Sequence, residues 1–145
     1  MIRNLHVSSS NNKIIKNRVH RLVGLLKNEL NFSIQSLFIN FAGGEEIHKI
    51  NKKYLSHDYS TDIITFNYSG SHLELDGEIY ISLDDALNSS QKYKVSLNSE
   101  LKRLTIHGLL HLSGYNDIEK KDKKRMKTKE NNLLNMYKFA LLRYE

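Results

Sequence analysis

His107 and His111 stand four residues apart in a stretch patterned as a helix, so both imidazoles project from one face about one turn apart and can share a cation. Spacing alone is weak, because random placement of 7 histidines among 145 residues gives roughly 0.3 such pairs. Two core histidines hydrogen-bonded inside a buried helix would explain the pair as well. The residues that follow add to it. Gly114 supplies the left-handed residue that ends a helix, and Tyr115, Asn116 and Asp117 turn back, bringing the Asp117 carboxylate within reach as a third ligand. Three protein ligands leave a position for water. One divalent ion held there would lower the pKa of that water and polarise a phosphoryl oxygen, the two requirements of phosphodiester hydrolysis. The chain has no cysteine, so its ligands are nitrogen and oxygen. Zinc is the first expectation, and two histidines with a carboxylate also suit iron(II) or manganese. No G-x-S-x-G elbow, Walker loop or cysteine nucleophile supports a competing reaction class.

These side chains need a frame. Residues 98–112 read as a helix capped by Asn98 or Ser99 and stopped at Gly114; beyond Leu104 it is apolar on most sides, which predicts a buried helix with the metal site at its end. Residues 1–7 alternate like an edge strand, and Asn11 or Asn12 is placed to cap a helix running to about Leu30. Residues 33–41 are rich in β-branched and aromatic side chains and predict a strand ended by Gly43 and Gly44, with a short helix over 45–55. Strands are predicted over 62–68 and 77–82, joined by the turn-prone Ser69, Gly70, Ser71 and His72, and helices over 84–93 and 122–143. About four strands in a small mixed sheet, packed with about five helices and lacking strict βαβ alternation, predict an α+β fold in one domain, residues 1–145.

Hydrophobic residues at 39% and charged residues at 26% exclude a fibrous or wholly disordered chain. A formal charge of +6 and a pI of about 9.4 favour a polyanionic partner. No signal-like or membrane-spanning run is present, so a cytoplasmic protein without a membrane partner is expected. After the motif, Lys120, Lys121, Lys123, Lys124, Arg125 and Lys127 form a basic run. On its own this is a solvated helix face; beside a metal-hydrolase motif it is a candidate phosphate-tracking surface. Asp62 and Glu78 are candidates for a general base or a partner behind a ligand, although capping a turn would explain either. His6, His20, His48, His57 and His72 lack metal spacing and receive no role.

The motif resembles the signature of the YbeY endoribonucleases, H-G-x-L-H-L-x-G-Y-D-H, at His107, Gly108, Leu110, His111, Leu112, Gly114 and Tyr115. Asn51, Tyr54, Asp58, Thr61, Asp62, Ile63, Ile64, Thr65 and Phe66 resemble the family's L-N-x-x-Y…D-x-x-T-[DN]-V-L-S-F segment. Gly77, Glu78, Ile79 and Ser82 resemble its G-D-I-x-I-S strand, and Met126 and Glu130 its downstream M-x-x-x-E pair. The resemblance covers roughly residues 50–130. It implies a metal-dependent, single-strand-specific endoribonuclease of bacterial ribosomal RNA maturation, acting at the 3′ end of the small-subunit rRNA and in ribosome quality control. The implied partners are rRNA and the small ribosomal subunit. The family's third histidine falls on Asp117, its arginine after the tyrosine on Leu55, and its strand aspartate on Glu78. A carboxylate in place of an imidazole lowers the charge of the donor set by one and should raise the pKa of bound water.

Two other readings stay open. A metallopeptidase of the H-E-x-x-H kind would need a glutamate where this chain has Gly108. A metal-stabilised ribosome-assembly factor would bind RNA through the basic run and cut nothing.

Overall fold

The computed structural model describes residues 1–56 and 61–143; His57 and Asp58 of the sequence reading lie outside the described residues. The element order is β1 (Leu5–Ser9), α1 (Lys16–Leu30), β2 (Ser33–Ala42), α2 (Gly44–Leu55), β3 (Ile63–Asn67), β4 (Glu74–Ser82), α3 (Leu83–Lys92), α4 (Leu97–Leu112) and α5 (Lys120–Met136). The strands form a mixed sheet in the order β1-β2-β4-β3, with β1, β2 and β4 parallel and β3 antiparallel to β4. This is the expected α+β fold. Alternation along the strands sorts the two faces. Leu37, Ile39, Leu75, Ile79 and Ile81 are buried in one core with Val19, Leu22 and Leu26 of α1 and Leu101, Leu104 and Leu109 of α4. On the other face a smaller cluster, Ala42, Ile47 and Ile64, seats α2. Helix α4 is buried along most of its length, as its continuous apolar pattern requires, and α5 covers it through Met126 and Leu133.

Helix boundaries shift by one or two residues at several ends, and three of the departures from the sequence reading involve the C-terminal segment. Helix α1 starts at Lys16 with Ile15 as a cap that offers no side chain, not at Asn11 or Asn12. Asn11 instead accepts from Lys13 N at 2.8 Å in a local turn, while Ile14 bridges to Leu142 and Ile15 N donates to Leu141 O at 2.8 Å. Helix α4 is capped by Ser96, whose hydroxyl accepts from Ser99 N at 3.0 Å; Asn98 Oδ1 accepts from Leu141 N. Helix α5 ends at Met136 and does not continue to Arg143. Its last carbonyls give way to an extended tail in which Leu141 and Leu142 are buried and Lys102 Nζ donates to Tyr137 O. Burying two leucines against α1 and α4 outweighs the few helical hydrogen bonds forgone. Strand β1 is shifted to Leu5–Ser9, and β4 reaches back to Glu74.

Candidate metal centre

Helix α4 supplies both histidines from its exposed stripe. The His107 and His111 rings meet edge to face with centroids 4.7 Å apart, and their Nε2 atoms lie 3.2 Å from each other. Asp117 Oδ2 is 3.9 Å from His111 Nε2. Among the described residues, one ligand atom from each of His107, His111 and Asp117 lies within 4.8 Å of the others. Tetrahedral donors at ordinary zinc distances sit about 3.4 Å apart, so the three fit a shared cation with small adjustment of the half-exposed Asp117. The turn that returns Asp117 is built as its sequence suggests: Gly114 has φ of 110°, its N–H bonds to His111 O at 3.1 Å, and Tyr115 N to Leu110 O at 2.9 Å.

Protonation of the two rings also suits a cation. His107 Nδ1 donates to Glu130 Oε1 at 2.6 Å, so the neutral ring would offer its Nε2 lone pair on the side of His111 Nε2. Two imidazole nitrogens facing each other at this distance require a proton or a cation between them. Burial lowers the pKa of His111 and the neighbouring His107 lowers it further, against the smaller opposing effects of Asp117 and a backbone hydrogen bond at Tyr115. His111 is therefore held neutral, the form a ligand needs.

Glu130, only 1% exposed, is the hub behind this pair. Besides His107 it accepts from Lys127 Nζ at 3.2 Å and Arg103 Nη1 at 3.4 Å. Burial opposes its ionisation, but the His107 hydrogen bond and the charges of His107, Arg103 and Lys127 outweigh it, and its pKa lies below the ordinary value. Arg103 in turn is gripped by the buried Glu100 through Nη2 at 2.5 Å and Nε at 3.1 Å. Sequence reasoning left Arg103 without a role, although it precedes His107 by four residues and so shares its helical face; that spacing was the available signal. Glu130 is 23 residues beyond His107, and only the fold brings them together.

The two candidate proton carriers part company. Asp62 Oδ2 approaches Arg103 Nη2 at 4.0 Å, and burial raises its pKa against the opposing charges of Arg103 and His107. Glu78 points to the opposite face of the sheet from Ile79 and α4. There it accepts from Tyr80 Oη at 2.7 Å, Tyr68 Oη at 2.9 Å and Asn40 Nδ2 at 3.1 Å, and the structure does not bring it to the triad. Leu55, where the resemblance has an arginine, ends α2; the guanidinium beside the triad is that of Arg103. Of the basic run, Lys123 and Lys127 line a cavity of about 220 Å³ with His107 and Asp117. Arg125 lines a neighbouring one of about 190 Å³ with Gly114, Tyr115 and Asn116, and Lys121 pairs with Glu119 at 3.8 Å. Lys120 and Lys124 are exposed on α5. His72, given no role from sequence, closes the end of α4 with Nδ1 3.0 Å from Leu112 O.

A family model described as Endoribonuclease YbeY matches residues 2–138. The chain is 47% identical over 102 residues to an Endoribonuclease YbeY of Chlorobium phaeobacteroides, covering 70% of this chain and 71% of that protein. It is 40% identical over 108 residues to the protein of the same name from Cytophaga hutchinsonii, covering 74% and 76%. The solution structure of TM1509 from Thermotoga maritima shares the fold, with a TM-score of 0.62 over 90% of this chain and 87% of that one at 20% identity.

Proposed function

Because the chain belongs to the YbeY endoribonuclease family, we propose that it is a metallo-endoribonuclease that hydrolyses single-stranded RNA at the centre formed by His107, His111 and Asp117. The observation that carries this reading is the pair of Nε2 atoms facing each other at 3.2 Å with Asp117 beside them, one ring locked from behind by a buried carboxylate. A divalent cation bound there, zinc foremost, would supply a Lewis acid for a phosphoryl oxygen and a water of lowered pKa. The chain's own residues do the rest. Glu130 holds the His107 tautomer, burial keeps His111 neutral, and Asp117 contributes the negative charge that distinguishes this donor set. To Asp62, which lies beside Arg103 and whose pKa burial raises, we assign the uptake or return of a proton near the site. Lys120, Lys121, Lys123, Lys124, Arg125 and Lys127 are assigned to the RNA strand, with Lys123, Arg125 and Lys127 nearest the chemistry. The substrate we assign is ribosomal RNA, cut in maturation of the small-subunit 3′ end and in ribosome quality control, in the cytoplasm. No described helix is long and apolar enough to cross a membrane.

A peptidase centre finds no support in the packing. A β-carbon at Gly108 would lie 3.0 Å from both Ile63 Cδ1 and Ile79 Cδ1, so a glutamate at the position where such enzymes carry one would have to displace two isoleucine side chains. Elemental analysis of the purified protein, paired with a single-stranded RNA cleavage assay on wild type and His111→Ala, tests the proposal. Stoichiometric metal and cleavage lost in the variant are expected. A metal-free wild type, or a variant that cuts equally well, would overturn it; metal without cleavage under any condition would favour the assembly factor.

A further inference from the structure

The cavity beside the triad carries three cations, Arg103, Lys123 and Lys127, around His107 and Asp117. The lysines belong to α5, whereas Arg103 comes from α4, one turn before His107, about 6 Å along the helix axis. A guanidinium has five N–H groups. In Arg103, Nε and one hydrogen of Nη2 are spent on Glu100, and one hydrogen of Nη1 on Glu130. Asp62, at 4.0 Å, is outside hydrogen-bond reach. Among the described residues one N–H on each terminal nitrogen is left without a hydrogen bond, and a guanidinium with two such donors forms a fork that can engage two oxygens of one phosphate.

The surroundings fix this fork in advance. Glu100 and Glu130 are 4% and 1% exposed, while the Arg103 side chain keeps a quarter of its surface open. Its inner edge is thus clamped and its outer edge faces the cavity, so engaging a ligand requires no ordering of a long side chain. On the cavity wall Arg103, Lys123 and Lys127 stand beside Glu130 and Asp117, with Glu100 and Asp62 next to Arg103, so the positive charge that a strand meets is that of the lysines and the outward guanidinium edge. We propose that Arg103 is a substrate-binding residue that seats a phosphodiester of single-stranded RNA beside the triad, with Lys127 and Lys123 taking adjoining negative charge. This deepens the endoribonuclease reading and rests on it for the identity of the strand.

The test uses the metal-loaded full chain. Affinity for a fluorescent single-stranded DNA oligonucleotide, an uncut strand of phosphates, is measured against salt, and kcat and KM are measured on the matching RNA. Arg103→Gln is expected to flatten the slope of log affinity against log salt by about 0.7, one phosphate contact on a single strand. Arg103→Lys keeps the charge and its ion pairs with Glu100 and Glu130 but lacks the fork; it should keep the slope and lose about a hundredfold in kcat. Lys49→Gln, which removes the same charge from α2 where Lys49 pairs with the exposed Glu45, should change neither. A wild-type slope in a folded Arg103→Gln, or wild-type kcat in Arg103→Lys, overturns the assignment; if Arg103→Gln does not fold, the lysine variant decides alone. A wild type that cuts no RNA sinks the endoribonuclease reading, while the salt slope still judges Arg103.

Discussion

Replacing Glu130 by glutamine should weaken metal binding while leaving the fold in place, and the size of the effect follows from the three bonds this carboxylate accepts. Its shortest, 2.6 Å from His107 Nδ1, fixes the tautomer of a proposed ligand and raises the basicity of the opposite nitrogen. Glutamine has nearly the same shape, and its amide oxygen can keep one of those bonds. Its NH2 group then confronts Arg103 and Lys127, where the carboxylate accepted at 3.4 and 3.2 Å. Partners behind a metal-bound histidine are typically worth ten- to a hundredfold in affinity, about 1.4 to 2.7 kcal/mol. The stability cost is smaller than for most buried ion pairs. Arg103 retains Glu100, and Lys127, with 59% of its side chain exposed, can turn to water; about 1 to 2 kcal/mol is expected. Competition against a chelating indicator gives the affinity, and urea unfolding of the metal-free protein gives the stability. A folded Glu130→Gln that binds metal within twofold of wild type would refute the role assigned to this carboxylate.

Three further outcomes are expected. Burial, then the N-terminal amino group and His6, lower the pKa of His20 from 6.5, and its Nδ1 accepts from Ile2 N at 3.2 Å. The unfolded chain therefore takes the proton first, so this contribution to stability is intact above pH 6.5 and is lost as the pH falls toward the native pKa. Urea unfolding at several pH values should show a shallower acid-side loss in His20→Gln than in wild type, and parallel curves would contradict the linkage. Gly77→Ala should destabilise by about 2 to 3 kcal/mol, because a β-carbon there would stand 2.5 Å from the Phe66 carbonyl oxygen of the paired strand; an unchanged urea midpoint would count against this close approach. Asp117→His removes one negative charge from the donor set and should move the pH optimum of RNA cleavage downward, so an unmoved profile would contradict the charge argument.

Local patterns in the chain were enough to recover the order of helices and strands, since each element's burial is written in its own periodicity. Leu37, Ile39 and Phe41 alternate as a half-buried strand must, and α4 is apolar nearly all round because it is covered on nearly every side. The ends of α1, α4 and α5 were not legible. They depend on Leu141 and Leu142 returning to Ile14, Ile15 and Asn98, contacts that no local propensity encodes. Asn11 and Asn98 carry the right side chain for a cap and are used otherwise, which is why capping residues alone misplace those termini.

The centre divides in the same way. That His107, His111 and Asp117 come together was legible in the sequence, because a four-residue helical step and a glycine-terminated turn are local geometry with few alternatives. Which groups stand behind and beside them was decided only by the tertiary structure. The sheet's alternation sends Glu78 to the far face, and the packing of α5 on α4 brings Glu130 and Lys127 across to His107 and Arg103. Long-range packing chooses among many charged side chains of equal local standing, and it does so by whether each can be buried with its hydrogen bonds satisfied. Glu130 meets that condition at the centre, whereas Glu78, only partly buried, finds its partners in two tyrosines and an asparagine on the other side of the sheet.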